Sequence, residues 1–207
     1  MTDPVKEIVL GLQNTVEILV TNINSNPQMV AGLLSKLSKN VPLVMHSARV
    51  MTFVMKFCFK NNYSAKHTKL LSIGALLHDI GKTQLPDRLL NTEFEKLSSD
   101  DKILWQSHPN IGYQMLEDCG LEYDIIKFAA LEHHERLDGS GYPNHTKKMS
   151  ILGQLLGLID RYDTLKNAPN PGKKVMSAME VLKRLMVECE TGKLNKELFE
   201  SFIYSLM

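Results

Sequence analysis

Gly74-Ala75-Leu76-Leu77-His78-Asp79-Ile80-Gly81-Lys82 decides how this chain is read. The apolar run predicts a helix face entering a core, with Gly81 as its stop. At the end of that face an imidazole and a carboxylate stand side by side. Burying them is costly without strong partners. A metal ion satisfies both, because it takes a carboxylate anion and a neutral imidazole. A lone histidine on an apolar helix is more often a hydrogen-bonded structural residue. The adjacent pair turns the balance toward a ligand site.

Outward from this stretch, helical periodicity dominates and no run alternates as a strand does. Pro42 opens a long helix through Phe59, closed at Asn61-Asn62, and the helix carrying His78 runs from Ala65 to Ile80. Thr83 to Ser99 reads as loop, and Ser99 or Asp100 caps a helix through Trp105 to His108. Pro109 then starts a helix over Ile111 to Cys119, with Gly120 as a stop. Further helices are predicted over Tyr123 to Glu135, Met149 to Leu165, Val175 to Glu190 and Lys196 to Leu206. A glycine-rich turn occupies Asp138 to Pro143, and Ala168 to Gly172 is a break. Ahead of all this, Pro4 to Val20 carries an amphipathic stripe, with a short helix following through Leu37. The expectation is an all-α bundle over residues 40–207, with a short N-terminal helical extension over residues 1–39.

The bulk numbers fit one soluble domain: 207 residues, 43% hydrophobic and 23% charged, at a net charge of +1. That balance implies no electrostatic attraction to nucleic acid or anionic membrane, so a phosphate-bearing ligand needs local cations or metal. Basic residues interleaved with aromatics along the chain, the usual platform for single-stranded nucleic acid, are not evident either. No segment is apolar enough to span a bilayer and no signal-peptide plan opens the chain. Cys58, Cys119 and Cys189 have no paired spacing and read as free thiols in a cytoplasmic protein.

Of 7 histidines, His46, His78, His108, His133 and His134 stand in purposeful places, and Asp160 joins Asp79. Imidazole with carboxylate and no thiolate suits Fe, Mn, Zn, Co or Ni. These groups are too many for one ion and suit a pair. A carboxylate can bridge two ions about 3.5–4 Å apart, and bound water can become hydroxide near neutral pH, chemistry suited to attack on phosphorus.

Leu76 to Lys82 resembles the central motif of the HD phosphohydrolases. His133-His134-Glu135-Arg136-Leu137-Asp138-Gly139-Ser140-Gly141-Tyr142-Pro143 resembles the second motif of their HD-GYP subgroup. His46-Ser47-Ala48-Arg49-Val50, His108-Pro109-Asn110-Ile111-Gly112 and Asp160-Arg161-Tyr162-Asp163-Thr164-Leu165 are similar to the family's remaining motifs, in order. The resemblance implies an HD-type helical bundle that hydrolyses cyclic di-GMP to pGpG or GMP through a metal-bridging hydroxide, with two divalent ions, iron or manganese foremost. It implies His46, His78, Asp79, His108, His133, His134 and Asp160 as ligands, Asp79 as the bridge and Lys82 as an electrostatic stabiliser. Arg136, Asp138, Gly139, Gly141, Tyr142, Pro143 and Lys173 are the expected substrate contacts.

Bland readings stand beside these. Lys82 fits a helix C-terminal cation, Gly139 to Pro143 an ordinary turn, and Asp163 either a partner of the ligands or an exposed acid. His67 and His145 read as surface residues, and Met51 and Met55 as core filler. Pro42 stands where some relatives carry a glutamate that supports a third ion. The family's Arg-Pro-Tyr stretch after Asp163 is missing, and Lys173 and Lys174 lack arginine's bidentate fork. Another cyclic dinucleotide as substrate, or a catalytically weak interaction module, are therefore the competing readings. The N-terminal helices are the expected site of dimerisation or of a protein partner.

Overall fold

The computed structural model describes residues 32, 35–121, 123–167 and 176–207. Among the described residues every regular element is helical, so the all-α expectation holds. Residues 1–39 fall outside them except for 32 and 35–39, and so do Lys173, Lys174 and the break after Asn167.

The asparagine at position 40 starts α1 (Val41–Lys60): its side chain accepts from Leu43 N at 3.0 Å, and Pro42 occupies the first turn. Ser64 caps α2 (Ala65–Leu77), which packs along α1. Leu70, Leu71, Ile73, Ala75, Leu76 and Leu77 put the second half of α2 into the core, while its first turn is exposed. The segment predicted as loop is more regular than its polar composition suggests. It holds a 3-10 turn over Ile80–Gln84, the short α3 (Asp87–Leu90) and a 3-10 turn over Phe94–Lys96. Buried Leu85, Leu89 and Leu97 anchor it.

Ser98, one residue ahead of the predicted caps, accepts from Asp101 N and starts α4 (Ser99–Gln106). Next come α5 (His108–Asp118), with Pro109 in its first turn, and α6 (Asp124–Glu132). Then α7 (Ile151–Asn167), α8 (Ala178–Glu190) and α9 (Lys196–Leu206) follow. Central α7 touches α1, α6, α8 and α9, while α5 is sandwiched between α6 and the 3-10 turn after Asp79. Buried Phe199 and Phe202 of α9 and Val181 and Leu185 of α8 close the core. Met51 is buried as expected, but Met55 is 47% exposed and is not core filler. Its position on α1 turns to solvent, a distinction that apolarity alone does not make.

Two predicted helices end early. The helix expected to reach Ile80 stops at Leu77, and the one expected to reach Glu135 stops at Glu132. Both end just before an adjacent pair, His78-Asp79 or His133-His134. Consecutive side chains on an α-helix diverge by about 100°, so neighbours face one point only where the helix gives way. Periodicity sees the helix and not this departure from it.

Candidate metal centre

Five elements each deliver part of the expected ligand set. His46 comes from α1, His78-Asp79 from the end of α2, His108 from the first turn of α5, His133-His134 from the end of α6 and Asp160 from α7. Gly81 lets α5 come this close: a Cβ there would overlap the carbonyl oxygen of His108.

The pieces converge on Asp79. Its Oδ1 lies 3.2 Å from His108 Nε2 and 3.4 Å from His133 Nε2. Its Oδ2 lies 3.5 Å from His46 Nε2 and 3.4 Å from His78 Nε2. Each carboxylate oxygen thus faces its own pair of imidazoles, and within each pair the Nε2 atoms are 3.3 Å apart. Asp160 joins the His46–His78 pair, with Oδ1 3.1 Å from His46 Nε2. Its Oδ2 reaches toward His134 Nδ1 at 3.9 Å. The donor atoms form two groups sharing one residue: His46, His78 and Asp79, and Asp79, His108, His133 and His134.

Hydrogen bonding on the far side of the rings settles which nitrogen points inward as an acceptor. His78 Nδ1 donates to Ala75 O at 2.6 Å, His108 Nδ1 to Trp105 O at 2.7 Å and His133 Nδ1 to Ala130 O at 2.9 Å. A carbonyl oxygen only accepts, so in the neutral rings each Nε2 presents a lone pair to Asp79. Lone pairs facing a carboxylate repel unless a cation lies between them. Asp79 Oδ1 and His134 Nε2 are buried without a hydrogen-bond partner, so the residues fit a metal on that ground as well.

Electrostatics agree. Burial would raise the Asp79 carboxyl, but the Lys82 ammonium and the surrounding histidines hold it well below the ordinary carboxylate range. Burial pushes His133 down to about 4 and lowers His108 and His134, which keeps all three neutral near pH 7. His46 goes the other way. Burial lowers it, yet hydrogen bonds to Asp160 and Asp163 lift it to about 9. Without metal a proton on His46 stands in for the cation.

Lys82 donates to Asp79 Oδ2 at 2.6 Å and is 14% exposed, so it borders the cluster and is not merely a helix-end cation. Asp163 is buried, not exposed. It accepts from Arg49 through both oxygens at 2.8 and 2.9 Å, and its Oδ2 meets His46 Nδ1 at 2.8 Å. His78, Asp79, His108 and His133 form a closed floor, while His46, His134, Asp160 and Lys82 are 15%, 16%, 7% and 14% exposed and form the open rim. His67 and His145 are exposed and outside the site, as expected.

The glycine-rich turn wraps one side. Its Gly139 takes φ +82°, and at Gly141 a Cβ would overlap the backbone of His134 to Arg136. The turn lays the Tyr142 ring on His134, with centroids 4.6 Å apart and planes at 26°, and Pro143 follows through a cis peptide. Asp138 accepts from Ser140 N at 2.9 Å and is exposed, so it is engaged in its own turn. Arg136 Nη1 donates to the carbonyls of Glu135 and His133 at 2.6 and 3.2 Å, which ties its guanidinium to the main chain. Lys173 lies outside the described residues.

Two supports escaped the sequence reading. Buried Glu135 accepts from Asn144 N at 2.6 Å and Thr146 N at 3.1 Å, which fixes the glycine-rich turn; an acid directly after paired histidines was the available signal. Arg49, one helical turn after His46, was legible only as spacing.

Comparison with known proteins is consistent with this geometry. A family model described as HD domain matches residues 28–196. A cyclic di-GMP phosphodiesterase of Pseudomonas aeruginosa is 28% identical over 190 residues, covering 91% of this chain and 45% of that protein. A 3'3'-cGAMP-specific phosphodiesterase of Vibrio cholerae is 27% identical over 186 residues, covering 89% of this chain and 42% of its own length. The chain thus spans less than half of either relative. Among solved structures, an HDG"Y"P protein from Bdellovibrio bacteriovorus superposes with a TM-score of 0.65 at 24% identity, over 94% of this chain and 69% of that one, a likeness of fold.

Proposed function

The chain belongs to the HD domain family, with the motifs of its HD-GYP subgroup, and on that premise we propose that it is a metal-dependent phosphodiesterase hydrolysing cyclic di-GMP to pGpG or GMP. The observation that carries this reading is the division of Asp79, whose two oxygens face separate pairs of imidazole nitrogens. On this reading Asp79, with His46, His78 and Asp160 on one side and His108, His133 and His134 on the other, would hold two divalent ions, iron or manganese foremost. Bound there, the ions supply Lewis-acid charge to a phosphoryl group and ease deprotonation of a water.

The chain's own groups do the rest. Lys82, beside Asp79 on the open rim, places a cation where a phosphoryl oxygen arrives and offsets charge that builds there. The His46–Asp163–Arg49 chain holds the His46 ring in one orientation and gives its proton a carboxylate neighbour. Tyr142, stacked on His134, covers the second group and keeps water from its back. Gly139, Gly141 and Pro143 shape that wall, and Arg136, Asp138 and Lys173 remain the proposed outer contacts to the dinucleotide.

Incubation of anaerobically purified, iron- or manganese-loaded protein with cyclic di-GMP, 3'3'-cGAMP and cyclic di-AMP, with products followed by chromatography, tests the proposal. Cyclic di-GMP should be consumed fastest, and turnover should vanish with chelator. Faster loss of 3'3'-cGAMP would instead favour the second reading, which the Vibrio cholerae relative and the missing Arg-Pro-Tyr stretch motivate. Metal uptake without hydrolysis of any of the three would point to an interaction module.

A further inference from the structure

Cations and aromatic rings that are not interleaved along the chain are interleaved by the fold. Lys82 Nζ lies 5.1 Å from the centroid of the Trp105 ring. Trp105 in turn is 6.4 Å from Phe94, with planes at 56°, and Lys102 Nζ stands 5.8 Å over Phe94. The row Lys82, Trp105, Phe94, Lys102 therefore starts at Asp79 and leads out along α4 and the 3-10 turn over Phe94–Lys96.

An aromatic pair is most often packing that holds a loop to a helix. Here neither ring joins the hydrophobic core. The Phe94–Lys96 turn has no buried residue, and Phe94 is 37% exposed. Trp105 is half-buried and stands edge-on to the expected ligand His108, with centroids 6.0 Å apart. Flat rings between cations, beside a site for phosphorus, match a nucleotide, whose base offers a π-face and whose phosphates offer charge.

Resting on the cyclic dinucleotide reading above, we propose that Trp105 and Phe94 form the base-binding wall of the site. A purine base of the substrate stacks on them, while Lys82 meets the phosphate at the cluster and Lys102 supplies charge at the outer end.

Trp105 is the 1 tryptophan of the chain, so its emission reports on this wall without labelling. The metal-loaded protein is titrated with the hydrolysis-resistant bisphosphorothioate analogue of cyclic di-GMP, by fluorescence and by calorimetry in parallel. Kinetics with cyclic di-GMP are compared for wild type, W105F, W105L and F94L. The wall predicts saturable quenching of Trp105 over the calorimetric binding curve. It predicts KM raised roughly 5- to 150-fold in W105L and F94L with kcat retained, and W105F close to wild type. Phe94 is exposed and outside the core, so F94L keeps the test decisive if W105L fails to fold.

Calorimetric binding without a change in emission would overturn the wall. So would W105F as impaired as W105L, because W105F keeps a flat aromatic face for the base while losing the larger indole and the N–H that interacts with the Tyr142 phenol. Quenching without turnover of any dinucleotide would uphold the wall while removing the hydrolytic reading, and absence of binding would remove both.

Discussion

A carboxylate can serve two cations when each oxygen faces different donors, and the two oxygens of Asp79 face separate pairs of imidazoles. With φ −100° and ψ 11° it has left the helix that carries His78, so its two oxygens can face opposite sides. Support for the surrounding side chains comes from Asp163, whose loss leaves His46 Nδ1 and the Arg49 fork without their acceptor. Asp163→Ala is therefore predicted to weaken metal binding by about 10–100-fold, the usual effect of removing a carboxylate behind a ligating histidine. Competition against a chelator of known affinity measures it, and unchanged affinity would remove Asp163 from the site.

The histidines also set the pH response of the metal-free protein. His133, pushed down to about 4 by burial, contributes stability that is complete above the unfolded value near 6.5 and is lost as pH falls toward 4. His46 is opposed by burial yet lifted to about 9 by Asp160 and Asp163. Its contribution is present below 6.5 and is lost as pH rises through 9. Metal-free protein should thus melt at its highest temperature near pH 6.5. Added metal should stabilise it increasingly toward pH 9, as the ion replaces the His46 proton. A flat melting profile across this range would contradict the assignment of these two groups.

Among the elements, a substitution near the site and one far from it should separate stability from function. Gly81 sits where a Cβ would collide with the His108 carbonyl, so G81A must push α5 off the 3-10 turn. A cost of roughly 1–3 kcal/mol is expected, a melting drop of about 2–4 °C per kcal/mol, together with loss of metal as His108 and Asp79 separate. Ser177 accepts from Glu180 N, and Glu180 accepts in return from Ser177 N, a capping box at the start of α8. S177A should cost about 1 kcal/mol and leave metal content and turnover intact. Thermal melts beside elemental analysis distinguish the two effects.

These elements also mark what was legible in advance. The helices α1, α2, α7 and α9, the first-turn Pro42 and the closing Asn61 were readable, because each is a local matter of residue type and spacing. The early ends of α2 and α6 were not. They answer to side chains arriving from other helices, information that no single segment contains. The same holds for Asp163, whose partners His46 and Arg49 lie more than a hundred residues upstream ("117" and "114" positions away). The Lys82–Trp105–Phe94–Lys102 row joins separate segments too, which is why the linear sequence looked bare of such interleaving.

At the scale of the whole molecule, α1, α2, α5, α6 and α7 all end in, or pass through, one polar cluster, so an ion held there would link its binding to folding. An ion that binds only the folded state stabilises it by about 2.7 kcal/mol at a hundredfold excess over its dissociation constant. Chelation should lower the melting temperature accordingly, and refilling should restore it. The described residues include no helix long and apolar enough to cross a membrane.

Metal content per chain, measured by elemental analysis after anaerobic loading of wild type and Asp79→Ala with iron or manganese, tests the shared carboxylate most directly. The account predicts about two ions in wild type, as a bridged pair requires, and loss of the paired stoichiometry together with turnover in Asp79→Ala. A single ion in the fully loaded, active wild type, or an Asp79→Ala protein that keeps both ions and its activity, would contradict it.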